Sequence, residues 1–116
     1  MLSTDIALQL ISPKQVWYAW FPFAEDRTQG KDRPVLILDV DDDNVHVWAT
    51  KITKSRPYDE HDVELDEWAD IPLDFPSTAS PINTVIIPKT QLRRYAGVIT
   101  DHDWERIMEE FRKMNS

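Results

Sequence analysis

The sequence predicts a small, mainly β-stranded fold, either a strongly bent sheet or an SH3-like barrel, with one C-terminal amphipathic α-helix packed on the sheet. Two observations carry this prediction. Short runs of aromatic and β-branched residues recur between positions 16 and 87, separated by prolines and polar turns. After them, apolar residues fall at helical spacing on one face: Trp104, Ile107, Met108 and Phe111. With 116 residues, the chain is expected to form one domain, 1–116.

Composition and turn residues set the predicted strands. They are residues 16–23, 35–40, 45–52, 61–65 and 82–87. Residues 1–14 precede them as an N-terminal extension with at most a short helix before Pro13. A long polar loop, residues 24–33, separates the first two strands. Residues 41–44, Asp-Asp-Asp-Asn, favour a tight turn, so the third strand should return antiparallel beside the second.

The C-terminal third is predicted to be less regular until its last element. Residues 68–81 hold three prolines and are expected to be mostly loop. Residues 89–96 suit a turn or two of helix that ends at Gly97 as a C′ residue. Thr100 with Asp103 resembles a capping box, so the terminal helix should begin there.

Charge and composition exclude several classes of protein. The net charge of −8 argues against a general nucleic-acid binder, because such proteins present net positive surface. Cysteine chemistry, a glycine-rich phosphate loop and a G-x-S-x-G elbow are all missing from the sequence. His46, His61 and His102 lack metal-site spacing, so no metal ion or cofactor is predicted. Without a signal peptide or membrane span in the sequence, we expect a cytoplasmic protein that does not contact membranes.

A candidate site lies where the second and third strands meet. Because these strands run antiparallel, the end of the third returns to Arg33 at the start of the second. Pro34 restricts the backbone of Arg33, which favours a fixed guanidinium that clamps phosphate. Candidate phosphodiester-binding groups at this end are Arg27, Lys31, Arg33, Lys51, Lys54 and Arg56, with the hydroxyls of Thr50, Thr53 and Ser55. The alternative is a solvated basic rim that binds nothing.

These segments resemble a known family. Val16 to Phe23 (VWYAWFPF), a polar loop and then Lys31 to Leu38 (KDRPVLIL) resemble the opening of the PemK/MazF family, toxins of type II toxin–antitoxin systems. Ile52 to Ser55 resembles the family's threonine-bearing segment after the third strand. Leu92 to Arg106 resembles its closing glycine turn and acidic helix start. With gaps, the match runs from Gln15 to Phe111.

The resemblance implies a PemK/CcdB-like barrel, a homodimer and a cognate antitoxin as protein partner. It also implies an endoribonuclease that cleaves single-stranded RNA without metal, with the substrate 2′-hydroxyl as nucleophile. Carried across, Arg33 matches the family arginine that stabilises the transition state and helps proton transfer. Thr53 matches the threonine that holds a phosphate oxygen. A shift of the third strand would substitute Thr50 or Ser55 for Thr53.

The sequence leaves alternatives for a loop carboxylate and for the activity itself. Glu25 or Asp26 stands where some family members have a loop carboxylate, with a plain surface acid as the alternative. Residues 80–84 lack an arginine that many members carry, and the chain is acidic. These departures allow a catalytically degenerate module that keeps the fold and binds a protein partner. A gyrase inhibitor of the CcdB type is the third interpretation, although residues 111–116 lack the aromatic-Gly-Ile tail that it implies.

Overall fold

The computed structural model describes residues 10–23 and 25–115. Within them, six antiparallel strands form one sheet in the order β4-β5-β3-β2-β1-β6, and a helix follows. The elements are β1 (Gln15–Pro22), β2 (Gly30–Val40), β3 (His46–Thr53), β4 (Val63–Glu64), β5 (Thr78–Pro88), β6 (Leu92–Val98) and α1 (Asp101–Met114). The predicted mainly β fold with a C-terminal helix is confirmed. The short helix expected before Pro13 falls mostly on residues outside the described ranges.

The loop between β1 and β2 is shorter than predicted. Pairing of the two strands continues as far as Pro22 opposite Gly30, so the connection covers only residues 23–29. Residues 31–33, predicted as loop, therefore lie in β2. The prediction was wrong because polar residues at the end of a strand have the same composition as a loop, and only the pairing distinguishes them.

Alternation of side chains along the strands gives the sheet two buried faces. On the first face, Val35 and Ile37 of β2 pack with Phe21 of β1. On the second, Leu36 belongs to a cluster that includes Ile107 of α1, and both side chains are fully buried. The strands on both sides of β2 also contribute to the first cluster. The helix covers the second face, as the apolar spacing predicted.

Strand β5 begins earlier than the sequence suggests. Residues 68–81 were predicted as loop, yet they contain a 3-10 turn, and β5 starts at Thr78. The pairing of β5 with β3 is interrupted by a bulge at residues 81–83, because Lys51 pairs with Ser80 while the preceding residue pairs with Thr84. The proline in this bulge, which argued for a loop, needs no ladder hydrogen bond there.

The helix predicted at residues 89–96 is wrong. These residues form one 3-10 turn, Lys89–Gln91, and then most of β6, which pairs with β1. Gly97 is a strand residue rather than a helix C′ residue. A Cβ at this position would collide with the backbone carbonyl of Ile71, so the close approach of two chain segments requires glycine.

Helix α1 begins at the predicted N-cap, Thr100, whose hydroxyl accepts a hydrogen bond from the Asp103 N–H at 3.3 Å. The rest of the expected capping box does not form. The fully buried Asp103 carboxylate instead accepts from the backbone N–H groups of Asp66 and Glu67, at 3.1 and 2.8 Å, and from Arg106 at 2.8 Å. This carboxylate therefore fastens the helix to the chain that follows β4. None of the helices in the described residues is long and apolar enough to span a membrane.

Candidate active site

The ends of β2 and β3 bring Arg33, Lys51 and Thr53 together. Val35 pairs with Lys51, and extending this antiparallel register by two residues sets Arg33 across from Thr53. Residues two apart on a strand share a face, so all three side chains belong to the face that carries Phe21. The site is thus built from neighbouring strands of a packed sheet rather than from a loop.

The Arg33 guanidinium lies partly buried against an aromatic ring. Its carbon is 5.9 Å from the centre of the Phe21 ring, within cation–π distance. Its Nε is buried and has no hydrogen-bond acceptor among the described residues. Burial lowers the pKa of Arg33, because partial removal from water disfavours the charged guanidinium, and no carboxylate pairs with it among the described residues. A desolvated cation of this kind favours the arrival of an anion.

Lys51 is a second partly buried cation beside the first. No hydrogen bond or ion pair holds its ammonium within the described part of the chain. The pKa of Lys51 is lowered, first by burial and then by the charge of Arg33. Asp62 and Glu25 raise it, but not enough to offset these effects. Two positive charges therefore lie close together in a chain whose net charge is −8.

Two cavities adjoin at this strand end. The loop cavity is lined by Phe21, Pro22, Phe23, Glu25, Arg27, Lys31, Arg33, Lys51, Thr53, Ser55, Asn83 and Val85. The aromatic cavity is lined by Tyr18, Lys31, Asp32, Arg33, Pro34, Ile52, Thr53, Lys54, Ser55, Leu73, Asp74, Phe75 and Ser77. Four polar residues line both: Lys31, Arg33, Thr53 and Ser55. A group bound between the cavities would contact all four.

Most of the chain that forms this site matches one known protein family. A family model described as "PemK-like, MazF-like toxin of type II toxin-antitoxin system" matches residues 12–114. The chain belongs to this toxin family. Among curated proteins, none matches the sequence.

Solved structures of mycobacterial toxins resemble this MazF-like chain. One is an endoribonuclease in complex with its cognate antitoxin from a mycobacterial species, with 19% identity, TM-score 0.69, and 89% of this chain and 92% of that chain covered. Another is the Mycobacterium tuberculosis toxin MazF-mt6, with 25% identity, TM-score 0.63, and coverage of 84% and 93%. A third, described as an Mtb toxin, has 27% identity, TM-score 0.62, and coverage of 81% and 97%.

Most of the residues predicted for the toxin's site line one of the two cavities. Glu25, Arg27 and Lys51 line the loop cavity, and Lys54 lines the aromatic cavity. The hydroxyl of Thr53 is 3.3 Å from both the Oγ and the N–H of Ser55, so these two residues form one polar turn at the end of β3.

Three predicted residues of the MazF-like chain lie outside both cavities. Thr50 is fully buried on the opposite face, and its hydroxyl is 2.8 Å from that of Thr84. Strand alternation explains this, because Thr50 is an odd number of residues from Thr53. Asp26 accepts hydrogen bonds from the N–H and the hydroxyl of Thr28 within the β1–β2 loop. Arg56 is exposed beyond the strand end.

Sequence reasoning did not find the aromatic residues of the aromatic cavity. Phe75 is 52% exposed, and the Lys54 ammonium lies 4.2 Å from the centre of its ring. Tyr18 lines the same cavity from β1. Phe75 lies in the proline-rich segment that was predicted as plain loop, so the only available signal was an exposed aromatic residue between prolines.

One cluster in the toxin has the composition of a metal site. Ligand atoms of Asp66, His102 and Asp103 lie within 4.8 Å of one another. A guanidinium already lies among them: Arg106 Nη1 is 3.3 Å from the Asp66 carboxylate and 2.8 Å from that of Asp103. The Asp66 carboxylate also raises the pKa of His102 by accepting its hydrogen bond. This arrangement pairs the acids with protein cations, as in a structural network.

Proposed function

We propose that this chain is an endoribonuclease toxin that cleaves single-stranded RNA between the loop cavity and the aromatic cavity, without a metal ion. One observation carries the proposal. Among the described residues, the Arg33 Nε is buried without an acceptor, and it lies beside a second partly buried cation, Lys51, whose pKa the Arg33 charge lowers. Burying two adjacent cations is costly unless an anion joins them, and a phosphodiester supplies both the charge and several acceptor oxygens.

The chemistry follows from RNA itself. The 2′-oxygen forms a bond to the adjacent phosphorus, the bond from phosphorus to the 5′-oxygen breaks, and the products are a cyclic phosphate and a 5′-hydroxyl. Negative charge accumulates on the phosphoryl oxygens in the transition state. Arg33 stabilises this charge, and the Thr53 hydroxyl donates to one phosphoryl oxygen. Substrate nucleosides on the two sides of the phosphate then occupy the two cavities.

Cleavage of a mixed-sequence single-stranded RNA in EDTA tests the proposal. Wild-type protein should cleave it, and Arg33→Ala should reduce the rate by about 10²–10³-fold, as for loss of one charge-stabilising group in a transition state. Arg112→Ala is the matched control, because this exposed arginine pairs with Glu109 on the helix. It should cleave at the wild-type rate.

Two results would reject the proposed activity. Cleavage that Arg33→Ala leaves unchanged would come from a contaminant or another site. A wild-type protein that binds a partner but cleaves no RNA in EDTA or with Mg²⁺ would instead be the catalytically degenerate interaction module. Cleavage only with Mg²⁺ would reject the metal-independent mechanism alone.

The partners follow from the family. We propose that the chain binds a cognate antitoxin in the cytoplasm. The chain forms a single domain with an N-terminal extension, and two copies assemble as a homodimer. Light scattering of the purified protein measures the dimer mass directly. Co-purification with the product of an adjacent short reading frame tests the antitoxin, and suppression of toxicity by that product is the expected outcome.

A further inference from the structure

Attraction of a phosphate by Arg33 and Lys51 does not by itself say what Lys51 does during bond cleavage. Lys51 pairs with Val35 in the β2–β3 register, so it lies diagonally across from Arg33 on the same face. It lies two residues from Thr53 and lines the loop cavity but not the aromatic cavity. Lys51 is therefore on the loop-cavity side of the shared polar residues, within reach of a nucleoside bound in that cavity.

Four charged groups from three segments surround Lys51. Arg33 and Lys31 face it from β2, Glu25 from the β1–β2 loop, and Asp62 from the segment before β4. Asp62 is already engaged, because its carboxylate accepts from the Ser80 hydroxyl at 2.8 Å and from two backbone N–H groups. The ammonium of Lys51 has no hydrogen-bond partner of its own in the described residues. It is thus available to a substrate.

We propose that Lys51 is the general acid of the cleavage reaction, donating a proton from its ammonium to the departing 5′-oxygen. This inference rests on the proposed function. The new bond joins the 2′-oxygen to phosphorus, and the bond from phosphorus to the 5′-oxygen breaks with its electron pair on that oxygen. The 2′-hydroxyl proton passes to water at the open side of the loop cavity. The neutral Lys51 amine then regains a proton from water.

Lys51 suits this role better than Arg33. A general acid must carry its proton at the working pH and still release it readily, which favours a pKa near that pH. Burial and the Arg33 charge lower the pKa of Lys51 toward that range. A guanidinium holds its proton far more tightly, so Arg33 supplies fixed charge instead. Arg33 then stabilises the charge of the transition state, and Lys51 transfers the proton.

A substrate with sulfur in place of the bridging 5′-oxygen tests this division. A thiolate leaves without protonation, so loss of a general acid no longer slows the reaction. Lys51→Arg keeps the charge and should cleave ordinary RNA about 10²–10⁴-fold more slowly than wild type. The same variant should cleave the sulfur-substituted RNA at the wild-type rate. Lys113→Arg, in the last turn of α1, is the matched control and should not affect either substrate.

A pH profile gives an independent readout. The protonated ammonium is the active form, so the wild-type rate should fall as pH rises through the Lys51 pKa. Lys51→Arg should lose this alkaline decline. Lys51→Gln, which removes the charge as well, should slow cleavage of ordinary RNA more than cleavage of the sulfur-substituted RNA, and thermal unfolding checks that both variants fold.

Several outcomes would overturn the inference. If Lys51→Arg cleaves ordinary RNA at the wild-type rate, Lys51 contributes only its charge. Equal slowing of both substrates means that it positions the RNA rather than protonating it. If the wild-type protein cleaves neither substrate, the proposed endoribonuclease activity fails as well, and this result is distinguishable because it does not depend on any variant.

Discussion

Replacing the buried Asp103 by alanine should destabilise the fold more than any exposed substitution on α1. The variant removes the acceptor for two backbone N–H groups, of Asp66 and Glu67, and leaves the Arg106 guanidinium without its nearest carboxylate. Removing one partner of a buried, hydrogen-bonded charge costs about 3–5 kcal/mol. With about 2.1 cal/mol/K of unfolding entropy per residue over 116 residues, this lowers Tm by roughly 12–20 °C.

The assay is thermal unfolding followed by circular dichroism, with Asp101→Ala as the matched control. Asp101 begins the same helix, but it is exposed and makes one ion pair, to Lys14 at 2.8 Å. An exposed pair of this kind is worth at most about 1 kcal/mol. A Tm for Asp103→Ala within a few degrees of that control would refute the reasoning. It would mean that water reaches the N–H groups of Asp66 and Glu67 once the carboxylate is removed.

Two other substitutions test the fold elsewhere. Gly97→Ala should cost about 1–3 kcal/mol or more, because the added Cβ meets the Ile71 carbonyl, and urea unfolding that matches wild type would contradict this contact. The pKa of Asp43 lies at about 2, lowered first by the hydrogen bond from the Val45 N–H and then by those from His46. Its stabilising effect is therefore present above the unfolded pKa and lost as pH falls toward 2, so Asp43→Asn should lower Tm at pH 7 but not at pH 2. An equal difference at both pH values would contradict it.

Local chemistry was sufficient to predict some elements of this chain. The turn at residues 41–44 predicted the β2–β3 hairpin, because its residues favour a tight reversal that antiparallel strands need. The N-cap at Thr100 and the apolar face of α1 predicted the helix start and its buried side. In both cases the deciding interactions join residues close in sequence.

Strand β6 and the extended β2 could not be predicted in this way. Two consecutive arginines in β6 interrupt the alternation of apolar and polar residues that would indicate a strand. The segment becomes a strand because it pairs with β1, about 75 residues earlier. Residues 31–33 likewise become strand only because β1 continues beside them. Sequence patterns record the side chains of a segment but not the partner that satisfies its backbone, so elements that depend on distant partners escape a local analysis.

The candidate site also depends on partners that are distant in sequence, and this dependence bears on how an acidic chain keeps two adjacent cations. Antiparallel geometry was sufficient to expect Arg33 near Thr53, but the missing counterion depends on where the acids go. Asp62 accepts from Ser80 and from the backbone, and Asp103 accepts from the backbone and from Arg106. Local donors already hold these two carboxylates, and neither forms an ion pair with Arg33 in the described part of the chain. The net charge of the chain therefore does not decide what binds here. Salt screens exposed charges beyond about 10 Å at 0.1 M, whereas the interaction of a phosphate with two partly buried cations in contact with it is screened much less.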